Sequence, residues 1–148
     1  MNFRIRVAAA LAVAAALIAP AGVSAETLRT DGPSITVIIR NETDAPMVLS
    51  SSDNPYGAWT DAPAAVIAAG ATETLAAGSN DRRGFGLQVG YTMPGDATVV
   101  LMANNYGTGN ANVDGTRVSG GNAHGYAVDS SVDAGYPFMT AEFTVTRS

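Results

Sequence analysis

Gly84-Phe85-Gly86-Leu87-Gln88-Val89-Gly90-Tyr91 sets a large apolar side chain at every second position. A period of two puts Phe85, Leu87, Val89 and Tyr91 on one face of an extended strand, because successive side chains point to opposite sides. The opposite face holds only Gly84, Gly86, Gln88 and Gly90. It is nearly bare, and leaves room for another backbone or a ligand. The polar run Gly78-Ser79-Asn80-Asp81-Arg82-Arg83 before this strand reads as a loop, and Met93-Pro94-Gly95-Asp96 after it reads as a turn. Thr98 to Ala103 then forms a strand apolar on both faces, the pattern of a central, covered strand.

The same punctuation extends in both directions. Ser34-Ile35-Thr36-Val37-Ile38-Ile39-Arg40 is rich in β-branched residues and is stopped by Asn41-Glu42-Thr43-Asp44-Ala45-Pro46. Met47 to Ser50 reads as the returning strand of an antiparallel pair across that turn. Asp53-Asn54-Pro55-Tyr56-Gly57 is a loop by its chemistry, with Trp59 just past it. The alanine-rich segment from Ala62 to Ala77 is broken at Gly70 and carries Val66, Ile67, Thr72 and Thr74, which favours two short strands around Ala69-Gly70-Ala71, with a brief helix as the rival. Asn104 to Asn112 reads as a long loop. Thr116 to Ser119, Gly125 to Asp129 and Met139 to Thr146 are the remaining strand candidates. Turn signals at intervals of about 8–12 residues between short alternating runs predict an all-β, antiparallel β-sandwich.

The start of the chain has a different character. Arg4 and Arg6 precede an unbroken apolar run from Val7 to Ile18, and Val23-Ser24-Ala25 closes it with small side chains. This three-part layout is that of a cleaved export signal over residues 1–25, and the apolar run is too short for the roughly 20 residues that span a bilayer. The expectation is therefore one domain over residues 26–148, secreted to the extracellular space, or periplasmic in a Gram-negative cell. The full chain carries 8 basic and 13 acidic residues; without Arg4 and Arg6 the balance is 6 against 13, a net charge of −7. The scattered arginines form no basic face, which argues against a nucleic-acid partner and against generic attraction to anionic lipid. With no cysteine and only His124 as an imidazole, neither disulfides nor a zinc-like ligand set is available.

The order of several motifs resembles the aegerolysin family. These are Arg40-Asn41-Glu42-Thr43, then Gly57-Ala58-Trp59, then Pro63 followed by Val66-Ile67-Ala68-Ala69-Gly70, then the strand from Gly84 to Tyr91. Asn104-Asn105-Tyr106-Gly107-Thr108-Gly109-Asn110 and the tail from Gly120-Gly121-Asn122 to Ala141-Glu142-Phe143-Thr144-Val145-Thr146 complete it, so the likeness spans nearly all of residues 26–148. The resemblance implies an actinoporin-like β-sandwich and recognition of particular membrane lipids, in some members as one half of a two-component pore-forming (cytolytic) pair. It also implies that the Gly57-x-Trp59 setting is a family feature.

Candidate contact residues are Trp59, Tyr56 and Tyr106. The two tyrosines fall in expected loops and are the natural exposed aromatics; Trp59 is either a ligand contact or a core packer. Asp53-Asn54, Asp114-Gly115 and Asp129 to Asp133 offer oxygen ligands, but none matches a calcium loop, and turn chemistry accounts for them, so no metal site is assigned. No serine lies in a Gly-x-Ser-x-Gly elbow, and His124 sits in a glycine-flanked loop, so no catalytic residue and no cofactor is assigned. Two functions follow: a non-enzymatic lipid-recognising protein, with or without a pore-forming partner, or an extracellular binding or structural module with a protein or glycan partner.

Overall fold

The computed structural model describes residues 32–148, so the export signal expected over residues 1–25 lies outside it. Ten strands follow in chain order: β1 (Ser34–Glu42), β2 (Met47–Asp53), β3 (Ala58–Asp61), β4 (Val66–Ile67), β5 (Thr72–Gly78), β6 (Gly84–Met93), β7 (Ala97–Tyr106), β8 (Arg117–Ser119), β9 (Tyr126–Ala134) and β10 (Phe138–Arg147). They form two five-stranded sheets, ordered β3-β5-β1-β10-β9 and β4-β2-β6-β7-β8. The expected β-sandwich is the fold observed, and the alanine-rich segment forms strands β4 and β5 rather than a helix.

Alternation builds the core. Ile35, Val37 and Ile39 of β1 and Met139, Ala141, Phe143 and Val145 of β10 are buried from the first sheet; Phe85, Leu87, Val89, Tyr91 and Met93 of β6 meet them from the second, with Val99, Leu101 and Ala103 of β7. Each fully buried Val, Leu, Ile, Met or Phe side chain here contributes about 1.5–3 kcal/mol. Strand β7 is interior to its sheet, between β6 and β8, but only part of its outer face is covered. Val100 is buried there, whereas Thr98 and Met102 are half-buried.

One pairing and one strand boundary differ from the sequence reading. β1 and β2 do not form a hairpin: they lie in different sheets, and β1 pairs antiparallel with β5 and in parallel with β10. The corner between β1 and β2 explains why. Asn41 is buried, and its Nδ2 lies 2.9 Å from the Ala45 carbonyl and 3.0 Å from those of Ile67 and Ala68, while its Oδ1 accepts from the Thr43 amide at 3.1 Å. A side chain that fills the turn from within holds it open as a crossing between sheets, where a tight hairpin needs a short primed turn. Alternation fixed which face of each strand points inward, but not its neighbour. The first sheet is consequently mixed rather than wholly antiparallel.

The second difference is that β7 continues through Asn104-Asn105-Tyr106, expected as loop. Asn105 points inward, is fully buried, and donates from Nδ2 to the carbonyls of Ser34 at 2.8 Å and Pro137 at 2.9 Å. Opposite it, Gly84 begins β6 with φ +104°, and a Cβ there would collide with the Asn105 carbonyl. Glycine alone suits both demands.

Candidate functional site

The end of the sandwich where β6 begins and β7 finishes gathers the loops between β2 and β3, between β5 and β6, and between β9 and β10. They are tied to one another. The Ser79 hydroxyl donates to the Tyr56 carbonyl at 2.6 Å and accepts from the Asp81 amide at 3.1 Å. The Gly107 amide donates to the Arg83 carbonyl at 3.0 Å, and the Tyr136 hydroxyl donates to the Arg82 carbonyl at 2.7 Å. A Cβ on Gly107 would lie 3.2 Å from Tyr136 Cζ, so the ring packs over bare backbone.

Four aromatic side chains are exposed on this scaffold: Tyr56 (74 %), Phe138 (67 %), Tyr106 (41 %) and Tyr136 (37 %). Loop tyrosines reach outward only if their backbone polar groups are satisfied elsewhere, and the cross-loop bonds do that. Tyr56 and Tyr106 are brought together, as walls shared by two depressions. One, of about 290 Å³, is completed by Asp81, Arg83 and Gly84. The other, of about 190 Å³, runs onto the outer face of the second sheet over Gly86, Gln88, Met102 and Asn104, with Asp53 and Pro55 at its rim.

Arg83 does not stand free. Its Nε is 3.0 Å from Asp81 Oδ1 and its Nη2 is 2.7 Å from Oδ2. This fork, and the Arg83 amide bonding to the same carboxylate, hold the Asp81 carboxyl down at a pKa of about 2. Asp81 pairs with Arg83 and Asp53 lines the neighbouring depression, so the two acidic groups offset Arg82 and Arg83 and this end carries no excess positive charge.

Trp59 lines neither depression. It is half-buried on β3, opposite the buried Ala77 in the strand pairing, and packs against the core. Tyr136 and Phe138 were not singled out from the sequence; the signal was Gly135-Tyr136-Pro137-Phe138, two aromatics around a proline between strand candidates. His124 is exposed in the turn before β9, at the far end of the sandwich.

No protein-family model matches the sequence, and no curated protein matches it. Its fold, however, has solved counterparts. The crystal structure of the lipid binding protein Nakanori superposes with a TM-score of 0.69, covering 78% of this chain and 72% of that one at 11% identity. In fold, the chain is similar to that protein. The structure of the RahU protein in complex with a TRIS molecule gives a TM-score of 0.51, covering 78% of this chain and 96% of that one at 12% identity. At such identities the likeness concerns backbone architecture, which agrees with the resemblance drawn from the order of motifs.

Proposed function

We propose that this is an exported, non-enzymatic protein that recognises membrane lipid through the loop end bearing Tyr56, Tyr106, Tyr136 and Phe138. The observation that carries the reading is the gathering of four exposed aromatic side chains at one end of a rigid sandwich. Phenol rings and phenylalanine suit the headgroup boundary, where an apolar body meets acyl chain and a hydroxyl meets water. The fold of a lipid binding protein supports the same reading. Balanced charge at this end and a net negative domain favour neutral or zwitterionic headgroups over anionic ones. By the aegerolysin resemblance, the protein acts beside a separate pore-former rather than perforating a membrane alone.

The test is co-sedimentation of the protein lacking residues 1–25 with vesicles of phosphatidylcholine, of sphingolipid with sterol, and of phosphatidylserine. Binding to the neutral or zwitterionic vesicles is expected, reduced about tenfold or more by Tyr56→Ala or Phe138→Ala. Dye release by the protein alone is not expected. Failure to bind any vesicle, or binding to phosphatidylserine alone, would overturn the proposal.

A further inference from the structure

The depression of about 190 Å³ beside Tyr56 and Tyr106 has a lining that a generic membrane contact does not require. Asp53 pairs with Gln88 across β2 and β6, and Gln88 with Met102 across β6 and β7; the next outward-facing pair is Gly86 with Asn104. A carboxylate and two carboxamides therefore stand in adjacent positions on one sheet face, at cross-strand spacing. Gly86 leaves the space that Asn104 Oδ1 takes up in the floor: a Cβ there would come within 2.6 Å of it. The Asn104 carboxamide is fixed: its Nδ2 donates to Asn112 Oδ1 at 3.1 Å and to the Asp114 carbonyl at 3.3 Å, and its backbone exchanges two hydrogen bonds with Asn112. That leaves Oδ1 held in place over Gly86.

We infer that this groove binds a single sugar ring. Its chemistry separates that ligand from others. The Gln88 carboxamide both donates and accepts, Asn104 Oδ1 accepts, and a carboxylate accepts twice, which matches neighbouring hydroxyls that themselves donate and accept. A phosphate would meet Asp53 with no cation lining the groove. A quaternary ammonium would find Asp53 and two phenol faces, but it gives no hydrogen to the carboxamide oxygens and takes none from the Gln88 amide. The flanking phenol rings present electron-rich faces on which the C–H side of a pyranose can lie. The volume is below the ~300–1,000 Å³ of drug-sized sites and suits one small ring rather than a chain of them. The inference rests on the membrane reading in one respect only: Tyr56 and Tyr106 serve both, and the sugar can be carried by a lipid or be free in solution.

The experiment has two arms on the protein lacking residues 1–25. In the first, methyl glucoside, methyl galactoside and methyl mannoside are titrated while backbone and side-chain amide signals are followed by NMR, with choline chloride and inorganic phosphate as controls. In the second, vesicles of phosphatidylcholine are compared with the same vesicles containing hexosylceramide. The expected result is that at least one glycoside shifts the Gln88 and Asn104 amide signals, and that Gln88→Ala weakens this about tenfold without changing thermal stability. Asn104→Ala is the second variant, checked for folding by circular dichroism. A gain in sedimentation with hexosylceramide, competed by the free glycoside, assigns a lipid-borne sugar; glycoside binding without that gain assigns a free one. Plain vesicles bound while no glycoside shifts any signal would overturn the sugar site and leave membrane docking standing. Choline shifting the groove signals where glycosides do not would also overturn it. Glycoside binding with no vesicle sedimented would sink membrane docking and leave the groove.

Discussion

Asn105 Nδ2 donates to the Ser34 carbonyl at 2.8 Å, pinning the last turn of the second sheet's β7 to the first strand of the other sheet. The same nitrogen reaches the Pro137 carbonyl at 2.9 Å, so one buried carboxamide joins β1, β7 and the turn before β10 directly beneath the exposed aromatics. Asn105→Ala removes both bonds and opens a small cavity; the Pro137 carbonyl keeps the Ser34 amide at 2.9 Å, while the Ser34 carbonyl loses this donor, a loss of about 1–3 kcal/mol. The expected outcome is a fall of about 2–4 kcal/mol in urea denaturation, together with weaker vesicle binding, because Tyr106 adjoins Asn105. Unchanged stability would show that the pin carries no strain-bearing role.

Trp59 packs against the edge of the core, facing Ala77, rather than among the exposed rings. Trp59→Ala is expected to cost about 2 kcal/mol, below the ~3–5 of a fully buried aromatic. Vesicle binding per folded molecule is expected to stay close to that of the parent protein. A variant of normal stability that no longer binds vesicles would instead make Trp59 a direct contact.

The corner at the opposite end depends on Asn41. Its side chain serves three carbonyl groups and the Thr43 amide, and its backbone bonds Gly70 and Ala71. Asn41→Ala is expected to lower stability by about 3 kcal/mol in denaturant titration, more than a typical substitution costs. Lipid binding by the remaining folded protein should be unaffected, since the corner lies far from the tyrosines.

Tyr91 gives an alkaline signature. Burial of its phenol, reinforced by the negative charge of Glu73, pushes the pKa up from 10.0 to about 12, and the hydroxyl donates to the Ala64 carbonyl at 3.1 Å. The unfolded chain ionises at the ordinary value while the folded one keeps its proton, so the unfolded state binds fewer protons over that interval. The contribution is whole below about pH 10 and is lost as pH rises toward about 12. Melting temperature should fall across this window, and Tyr91→Phe should flatten the slope while removing one hydrogen bond worth about 1 kcal/mol.

Much of the sandwich was legible because alternation is a local property. Phe85 to Tyr91 announces its inward face without reference to any other segment, and so does Ile35 to Ile39. Neighbours are different: nothing within Ser34 to Arg40 indicates that its partner is Phe138 to Arg147, and the turn-like residues after Arg40 suggest a hairpin until the buried Asn41 is seen filling the corner. The site divided in the same way. Tyr56 and Tyr106 stood out because each sits among glycine and asparagine. Tyr136 and Phe138 did not, because their exposure depends on loops that meet only after folding. Asn104 and Asn105 look alike in the sequence and point in opposite directions, one onto the outer groove and one into the core.

The parallel pairing of β1 with β10 has a consequence for how the chain is made. Ile35, Val37 and Ile39 lie beside Met139, Ala141 and Phe143 in register, so the middle of the first sheet joins the first of the described strands to the last. A ribosome delivers that partner about a hundred residues after β1, and contacts so distant along the chain close slowly. Until then β1 has only β5 beside it and a half-built sheet. The first sheet is thus completed in one late step, when β10 slides into the gap between β1 and β9.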